Sequence, residues 1–407
     1  MTWRTLQLKR LFISATGGSW GSEPEAGEVV VPCIRGTDFD YARLRVAVSR
    51  APLRGFTRRE IAYRAATIGD LIIEKSGGGE QQPVGRAVLY DLPDPVMPTN
   101  FAGRLRPNEY ADPRFVCYLL ASLYTDGRTR AVIKQTTGIQ NLDLDALLST
   151  VVRSPPIDEQ RAIADFLDRE TARIDALIAA KRRMIELLDE IRRSIISSVL
   201  WADNCPTVRL KYLCGTPTSG NRDHGSFTLT DDGVPCLRGL NVRSGRIDRD
   251  NLLRISVDDH QRHATTALRA GDLVIVRSGL AGAAALVPSD LDGCNCVDLV
   301  VVRRARSVLP RFLEYLVNSE EAQVQVTQDS AGALLTHFNA MAAANLHIPH
   351  QSIDEQARCV SALDESCSRL DAASDGLRRQ IGLLIEHRQA LITAAVTGEL
   401  DVAGVAA

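Results

Sequence analysis

The sequence contains few aromatic residues and no long apolar run. Phe, Trp and Tyr together make up 5% of its 407 residues, so we do not expect stacking platforms for single-stranded nucleic acid to dominate its surface. No apolar run approaches the ~20 residues that a membrane-spanning helix needs. The first residues are also unlike a signal peptide, because Arg4, Lys9 and Arg10 interrupt their apolar positions. We therefore expect a cytoplasmic protein that has no membrane partner.

The sequence also lacks the common metal-binding and catalytic motifs. None of its nine cysteines belongs to a Cys-x-x-Cys pair, and reduced thiols are then expected. Lys75-Ser-Gly-Gly-Gly-Glu80 lacks the Gly-Lys-Ser/Thr ending of a phosphate-binding loop. Ser154-Pro-Pro-Ile157 resembles a motif of adenine methyltransferases, but Ile157 replaces the aromatic residue that stacks on a flipped base. His260 and His263 have no third ligand at metal spacing. We expect neither a catalytic centre nor a bound metal.

The remaining composition is that of a globular protein with more than one domain. Hydrophobic residues make up 45% of the chain and charged residues 24%, which excludes bulk disorder. The length alone predicts two or three domains. The net charge is −2, but residues 1–153 carry 20 basic and 16 acidic side chains, whereas residues 351–407 carry 5 and 9. The basic excess therefore lies in the first part of the chain.

Two copies of one module follow each other along the chain. Blocks of the first copy return in the second: Val31-Pro-Cys-Ile-Arg-Gly36 as Val234-Pro-Cys-Leu-Arg-Gly239, the segment 69–77 as 271–279, and Ile157-Asp-Glu-Gln160 as Ile353-Asp-Glu-Gln356. The offset falls from 203 to 196 residues along the module, so the copies share a frame but differ in their loops. This pattern is expected if each copy presents a different surface on a common scaffold.

The repeat divides the chain into two globular parts, each followed by a long helix. The predicted fold class is α+β, with the boundaries 1–153, 154–200, 201–206 (a linker), 207–350, 351–400 and 401–407 (a tail). Within the globular parts, apolar runs predict buried strands over 69–74, 271–276 and 294–303. Short helices are predicted over 114–123 and 311–317.

Apolar residues recur along both helical segments with steps of four and three, which is a heptad seam. The predicted seam residues are Leu167, Ile174, Ile178, Ile185, Leu188, Ile195, Leu363, Leu370, Leu377, Ile381, Leu384 and Leu391. A helix of roughly 40 residues is about 60 Å long. Because a lone helix with such a seam needs a partner, we expect the two helices to pair.

At this point the repeated blocks resemble a known family. Both modules open with Leu-Lys-x-Leu, contain Gly-Asp-Leu-hydrophobic-Ile-x-x-Ser-Gly, and close with Ile-Asp-Glu-Gln before a long helix. In this respect the chain is similar to the specificity (S) subunit of Type I restriction–modification systems. The segments 155–167 and 391–400 look especially like that family, and the resemblance covers nearly the whole chain.

The resemblance implies a DNA-recognition subunit that is not an enzyme. It implies that 1–153 and 207–350 are target recognition domains, each reading half of a split site in double-stranded DNA, and that 154–200 and 351–400 are spacer helices forming an antiparallel coiled coil. It further implies two methyltransferase subunits as partners, together with motor–nuclease subunits that join through the complex. S-adenosylmethionine, ATP and magnesium are expected on those partners and none of them on this chain.

Candidate DNA contacts are arginines, one lysine and glutamines. The segment 43–64 contains seven arginines and one acid, Glu60, which suits phosphate contacts. Amide and guanidinium groups of the loop after the first buried strand suit base edges. The candidates are Arg43, Arg45, Arg54, Arg58, Arg59, Lys75, Gln81, Gln82 and Arg86 in the first module and Arg243, Arg246 and Arg277 in the second.

Two other functions fit parts of the sequence. The first is a coiled-coil scaffold whose two domains bind proteins without reading DNA, which the low net charge favours. The second is a standalone DNA methyltransferase, which would require the isolated chain to bind S-adenosylmethionine.

Overall fold

The computed structural model describes residues 3–80, 82–136, 138–201, 205–221, 227–328 and 338–402, and it divides into two compact units. Unit 1 comprises Met1–Arg182 and Arg378–Ala407, and unit 2 comprises Arg183–Leu377. Each long helix therefore contributes one part to each unit. In the described ranges, no helix combines the length and apolar character needed to cross a bilayer.

The strands are short in both units. Unit 1 contains β1 (Arg4–Gln7), β2 (Phe12–Gly17), β3 (Val29–Ile34), β4 (Phe39–Asp40), β5 (Arg45–Val46), β6 (Leu53–Phe56), β7 (Leu71–Glu74), β8 (Ser76–Gly77), β9 (Ala87–Leu89), β10 (Met97–Pro98), β11 (Ala102–Pro107), β12 (Ile133–Thr136), β13 (Ile139–Leu142) and β14 (Val151–Ser154). Unit 2 contains β15 (Thr207–Arg209), β16 (Thr218–Ser219), β17 (Leu229–Leu237), β18 (Val242–Arg243), β19 (Arg246–Ile247), β20 (Leu253–Ile255), β21 (Leu273–Val276), β22 (Ala284–Leu286), β23 (Asn295–Cys296), β24 (Leu299–Val302) and β25 (His347–Pro349).

The helices include two that are far longer than the rest. They are α1 (Arg58–Arg64), α2 (Pro113–Thr125), α3 (Leu144–Leu148), α4 (Ile157–Leu200), α5 (Lys211–Cys214), α6 (Val257–Arg262), α7 (Pro310–Val317), α8 (Glu320–Gln328), α9 (Ala340–Asn345) and α10 (Ile353–Thr397). Helix α4 has 44 residues and α10 has 45. The predicted helices over 114–123 and 311–317 are confirmed as α2 and α7.

The two units repeat one sheet arrangement. In unit 1, β7 lies between β11 and β9 in a sheet of order β2-β11-β7-β9-β5-β4, and in unit 2, β21 lies between β24 and β22 in a sheet of order β16-β24-β21-β22. Both central strands pair antiparallel with both neighbours. The strands predicted over 69–74 and 271–276 are thus confirmed as β7 and β21.

The Gly-Asp pair before each central strand makes the same turn in both units. Gly69 and Gly271 have φ of +89° and +86°, a conformation that side chains strongly disfavour. The buried Asp70 carboxylate accepts a hydrogen bond from the Thr67 backbone N–H at 2.9 Å. In unit 2, Asp272 accepts in the same way from the backbone N–H three residues earlier. The repeated Gly-Asp sequence therefore marks a strand entry.

The prediction of one strand over 294–303 is wrong. The structure places two strands there, β23 and β24, which pair in different sheets. Asp298, between them, has φ of +52°, and such a left-handed residue interrupts an extended strand. The apolar pattern alone gave no indication of this break.

Each unit has a core that includes parts of both long helices. In unit 1, α2 packs over the main sheet together with Leu167 of α4 and Ile392 of α10. In unit 2, α7 packs over the main sheet together with Leu200 of α4 and Leu363 of α10. The segment of each long helix in a unit is therefore anchored by the apolar core of that unit.

Contacts between α4 and α10 run in opposite chain directions. In unit 1, Lys181 Nζ donates to Gln380 Oε1 at 2.6 Å, and Arg388 Nε lies 3.1 Å from Asp175 Oδ1. In unit 2, the Arg192 guanidinium pairs with Asp371, and Cys359 Sγ donates to the Val199 carbonyl at 3.7 Å. As the residue number rises along α4 it falls along α10, so the two helices pair antiparallel within each unit.

All twelve predicted seam residues are buried or half-buried. Leu167, Ile174, Ile178 and Leu363 are buried, and the remaining eight are half-buried. Part of the predicted linker, residues 202–204, lies outside the described residues. The nine cysteine side chains are all free thiols.

Candidate nucleic-acid interface

Helix α1 presents the exposed part of the basic segment. Thr57 caps the helix, because its hydroxyl accepts from the Glu60 backbone N–H at 3.2 Å and the Glu60 carboxylate accepts from the Thr57 N–H at 3.0 Å. The hydrogen bond from the Thr57 N–H, together with one that the Thr57 hydroxyl donates to the same carboxylate, lowers the pKa of Glu60. Arg58 and Arg59 follow in the first turn and are exposed. The one acid of the segment is thus occupied by capping, and two of its arginines face solvent.

Three other predicted arginines of the first module are held by internal partners. Arg54 pairs with Glu23 and stacks on the Trp20 ring at 5.1 Å from its centroid. Arg45 Nε donates to Asp91 at 2.9 Å, and Arg43 Nη1 lies 3.3 Å from Asp40. To contact a DNA phosphate, each would exchange or share a carboxylate that it holds in the free chain.

The loop region after β7 contains the predicted base-reading residues. Gln82 is exposed, and its backbone carbonyl accepts from the Gly79 N–H at 3.0 Å. The Lys75 side chain is half-buried beside Gly17. Gln81 lies outside the described residues. Of the group, Gln82 has the exposure that contact with a base edge requires.

Arg86 is fixed between two aromatic rings. Its guanidinium lies 4.5 Å from the centroid of Tyr41 and 5.0 Å from that of Tyr124. The Tyr41 hydroxyl donates a hydrogen bond to the Glu74 carboxylate. Burial raises the pKa of Glu74. The Tyr124 hydroxyl donates to the Pro83 carbonyl at 2.9 Å. Arg86 is therefore a pre-positioned cation with a defined plane.

The second module presents its three candidates differently. Arg243 and Arg246 face each other across the β18–β19 hairpin, and Arg246 is exposed. Arg277, which occupies the position of Lys75 in the repeated motif, pairs with Asp298, and its side chain is 13% exposed. The two modules thus share a frame but present different polar surfaces.

A pair of buried glutamines joins each globular domain to its long helix. Gln160 Oε1 accepts from the backbone N–H of Asp112, the residue that caps α2, at 2.9 Å, and its Nε2 donates to the carbonyls of Tyr110 and Pro155 at 3.0 and 2.9 Å. We call this arrangement the glutamine latch. In unit 2, Gln356 accepts from the N–H of Leu309, which precedes α7, at 2.8 Å.

The rest of the second latch repeats the first. Gln356 Nε2 donates to the carbonyls of Ser307 and Gln351 at 3.2 and 2.9 Å. Each acceptor lies at the position, relative to its helix, of the acceptor in unit 1. Both glutamines are 1% exposed. The repeated Ile-Asp-Glu-Gln sequence thus encodes a hydrogen-bonded joint, a role that the sequence did not reveal.

A second repeated contact, which sequence reasoning missed, lies about two turns further along each long helix. The Tyr118 hydroxyl donates to Asp168 at 2.8 Å, and Arg114 Nη1 lies 2.9 Å from the same carboxylate. We call this arrangement the helix clamp. In unit 2, the Tyr315 hydroxyl and Arg311 Nε lie 2.7 and 3.0 Å from Asp364.

The helix clamp has a signal in the sequence. Pro113-Arg-Phe-Val-Cys-Tyr-Leu119 returns as Pro310-Arg-Phe-Leu-Glu-Tyr-Leu316, with the arginine and tyrosine one helical turn apart on one face. This repeat predicts a shared contact, although only the fold identifies the aspartate that completes it.

Comparison with known proteins agrees with this architecture. Residues 56–187 match the family model of the Type I restriction modification DNA specificity domain. The chain is 20% identical over 289 residues to the Type I restriction enzyme EcoBI specificity subunit of Escherichia coli, covering 64% of this chain and 61% of that protein. It is 22% identical over 355 residues to the EcoKI specificity subunit of E. coli strain K12, covering 81% and 75%.

The fold has a counterpart among solved structures. A chain from a structural study of complex assembly and conformational transition in the type I R-M system superposes with a TM-score of 0.74 at 17% identity, covering 98% of both chains. The family match, the curated relatives and the shared fold agree. Residues 56–187 thus match the Type I restriction modification DNA specificity domain, and the chain is similar in sequence and in fold to proteins of Type I restriction–modification systems.

Proposed function

We propose that this chain is the non-catalytic specificity subunit of a Type I restriction–modification complex and that each module reads one half of a bipartite, asymmetric duplex target. The repetition of one frame with two different polar surfaces carries this proposal. Units 1 and 2 share the central strand, the glutamine latch and the helix clamp, whereas their surface arginines differ. Readers of two unrelated half-sites need this combination of a common support and separate contacts.

The proposed DNA contacts fall into two groups, those to backbone phosphates and those to base edges. Arg58 and Arg59 are exposed cations and suit backbone phosphates, which position a protein without reading sequence. Gln82 and Arg246 are exposed groups able to reach base edges, where an amide recognises adenine and a guanidinium recognises guanine. Arg277 contributes only after its pair with Asp298 opens, so it is the costlier contact.

The paired helices set the distance between the half-sites. Helix α4 of 44 residues is about 66 Å long at 1.5 Å per residue. One turn of B-DNA is about 34–36 Å, or roughly 10–10.5 base pairs. Two recognition domains with their own width, carried on a rod of this length, leave room for an unread gap near one turn. Latches and clamps at the start of each helix keep each domain in one orientation on it.

Two methyltransferase subunits dock on the paired helices. In unit 2, Met184, Leu187 and Ile191 of α4 are 50%, 40% and 48% exposed, and their spacing places them on one face of the helix. An exposed apolar stripe of this kind suits a protein partner. The complex acts in the cytoplasm and recruits motor–nuclease subunits. S-adenosylmethionine, ATP and magnesium bind to the partner subunits.

An exchange of modules tests the proposal. Residues 1–153 are replaced by the first module of another family member, and the methylated motif in host DNA is determined by sequencing. One half-site is expected to change while the other half-site and the gap stay the same. A simultaneous change of both half-sites would contradict independent readers.

A protein-binding scaffold is the second candidate function. The net charge of −2 and the internal ion pairs of the second module favour it, since Arg249 lies 2.8 Å from Asp290 and Arg277 is paired as well. It predicts weak retention on heparin and no sequence-selective duplex binding in the presence of the methyltransferase subunit. Selective binding in the same assay supports the specificity subunit.

A further inference from the structure

A cleft of about 840 Å³ in unit 1 lies between the globular domain and the long helices. Its sides are the loop around Tyr41, the end of α2, and facing segments of α4 and α10. Its apolar lining includes Leu44, Ile178 and Ile392, all of them buried. The volume is within the usual range of small-molecule sites, roughly 300–1,000 Å³.

The cleft carries an excess of positive charge. Its charged lining residues are Arg43, Arg86, Arg130, Arg182, Arg388, Asp40 and Asp175. Both aspartates are already paired, Asp40 with Arg43 at 3.3 Å and Asp175 with Arg388 at 3.1 Å. Of the remaining three arginines, Arg86 lies beside the half-buried Glu74, and no acid of the lining balances Arg130 or Arg182. Such a cleft attracts an anion.

Two of these three arginines are available to a ligand, and the third is fixed. Arg130 and Arg182 are exposed, so contact with a ligand does not require them to leave a buried site. Arg86 is held between the rings of Tyr41 and Tyr124 and presents its guanidinium in one plane. Because the orientation of this guanidinium is already fixed, its side chain loses little conformational entropy when a ligand binds.

We propose that this cleft binds a nucleotide-sized phosphate ester. Arg130 and Arg182 hold the phosphate, because the planar fork of arginine matches phosphate oxygens. The apolar lining takes the base, and the N–H edge of the Arg86 guanidinium, whose faces are covered by the two tyrosine rings, donates hydrogen bonds to it. The ligand is either a free nucleotide or one nucleotide of a DNA strand. The proposal adds a ligand to a chain for which the sequence predicts no cofactor.

Arg43 and Arg86 line the cleft and are also candidate DNA contacts, whereas the two arginines proposed to hold the phosphate are separate from half-site reading. Arg130 and Arg182 are not among the residues proposed to contact the duplex, so their replacement tests the cleft without altering base recognition. The double variant Arg130→Gln/Arg182→Gln is compared with Arg173→Gln. Arg173 is an exposed residue of α4 within unit 1, its side chain is 76% exposed, and it does not line the cleft.

The test measures binding to the full-length chain with three probes. ATP and ADP are titrated by calorimetry, and a fluorescent 12-nucleotide oligodeoxythymidine by anisotropy, all at low salt. We expect saturable binding that weakens by at least about tenfold in the double variant, since hydrogen bonds to charged groups are lost. We expect Arg173→Gln to bind as the unchanged chain does. Thermal unfolding without probe serves as the folding control, because both replaced side chains are exposed.

The outcomes are distinct. Binding of ATP or ADP identifies a free nucleotide as the ligand, and binding of the oligonucleotide alone identifies a DNA strand. Absence of saturable binding to all three probes overturns the proposal, as does equal binding by the double variant. The methylated motif in host DNA is determined for the same variant. An unchanged motif shows that half-site reading is intact whatever the cleft binds.

Discussion

Replacement of the latch glutamine in unit 1 is the most direct test of how a domain is held on its helix. In Gln160→Ala, the backbone N–H of Asp112 and the carbonyls of Tyr110 and Pro155 lose the partners that the structure gives them. Gln160 is 1% exposed, so water reaches these groups only after local rearrangement. At roughly 1 kcal/mol for each of three backbone groups, the loss of stability is about 3 kcal/mol.

Hydrogen exchange measured by mass spectrometry detects this loss locally. The amides of α2 report on the first latch, because the first latch contact is the N–H of the residue that caps this helix. A loss of about 3 kcal/mol corresponds to exchange roughly 100-fold faster, at 1.4 kcal/mol for each factor of ten. Gln356→Ala is the matched variant and is expected to accelerate exchange in α7. Gln389→Ala, at an exposed position of α10, is the control.

A small effect of Gln160→Ala would contradict the role of the latch as a joint. Exchange in α2 that accelerates by less than about fivefold in Gln160→Ala means that other groups replace the lost bonds at little cost. The latch would then be a consequence of packing and not a joint. The prediction does not depend on DNA binding, so it tests the architecture separately from the function.

Three further predictions concern the helices and the thiols. Charge at Ile185 and Ile381, both half-buried, is expected to separate the seam, and size-exclusion chromatography should then show loss of the complex with methyltransferase subunits; normal assembly would contradict this. Deletion of 178–184 and 374–380 removes one heptad from each helix and about 10 Å of length, so motif sequencing should show a gap shorter by about three base pairs. Burial raises the pKa of several thiols to about 12, so their thiolate is scarce at pH 8, and a thiol reagent should modify the half-exposed Cys205 first. Equal modification rates for all nine thiols would be inconsistent with this burial.

Local patterns predicted the regular elements well, because their causes are local. The Gly-Asp entry to β7 and β21 depends on a glycine turn and an aspartate that bonds three residues back. The long helices follow from apolar spacing and the absence of proline. The exception is the segment 294–303, where the left-handed Asp298 divides an apolar run into two strands. The sequence of such a run does not indicate that its aspartate adopts a left-handed conformation.

The sequence could not predict which of the candidate arginines are exposed and which are paired with other residues. Seven arginines in one segment predict a basic surface, and Arg58 and Arg59 are exposed as that requires. Whether an arginine is free depends on distant residues, however. Arg45 meets Asp91, which lies 46 residues away, and Arg54 meets Trp20 across 34 residues. Counting charged residues within a short stretch of sequence does not identify partners that lie this far away along the chain.

The polar seam positions explain how the two helices find a single register. An apolar heptad seam on its own permits shifts by whole heptads, because each seven-residue step restores the same contacts. Lys181 lies three residues after Ile178, and Arg388 lies four residues after Leu384, so both occupy positions of the heptad seam. Each contacts one polar partner on the other helix, Gln380 and Asp175. A shift by one heptad would separate both pairs and leave Arg388, whose side chain is 12% exposed, without its carboxylate. A buried cation without a partner is costly, so these polar contacts select the register. The spacer role proposed for the helices requires this selection, since each heptad of shift would displace one helix along the other by about 10 Å.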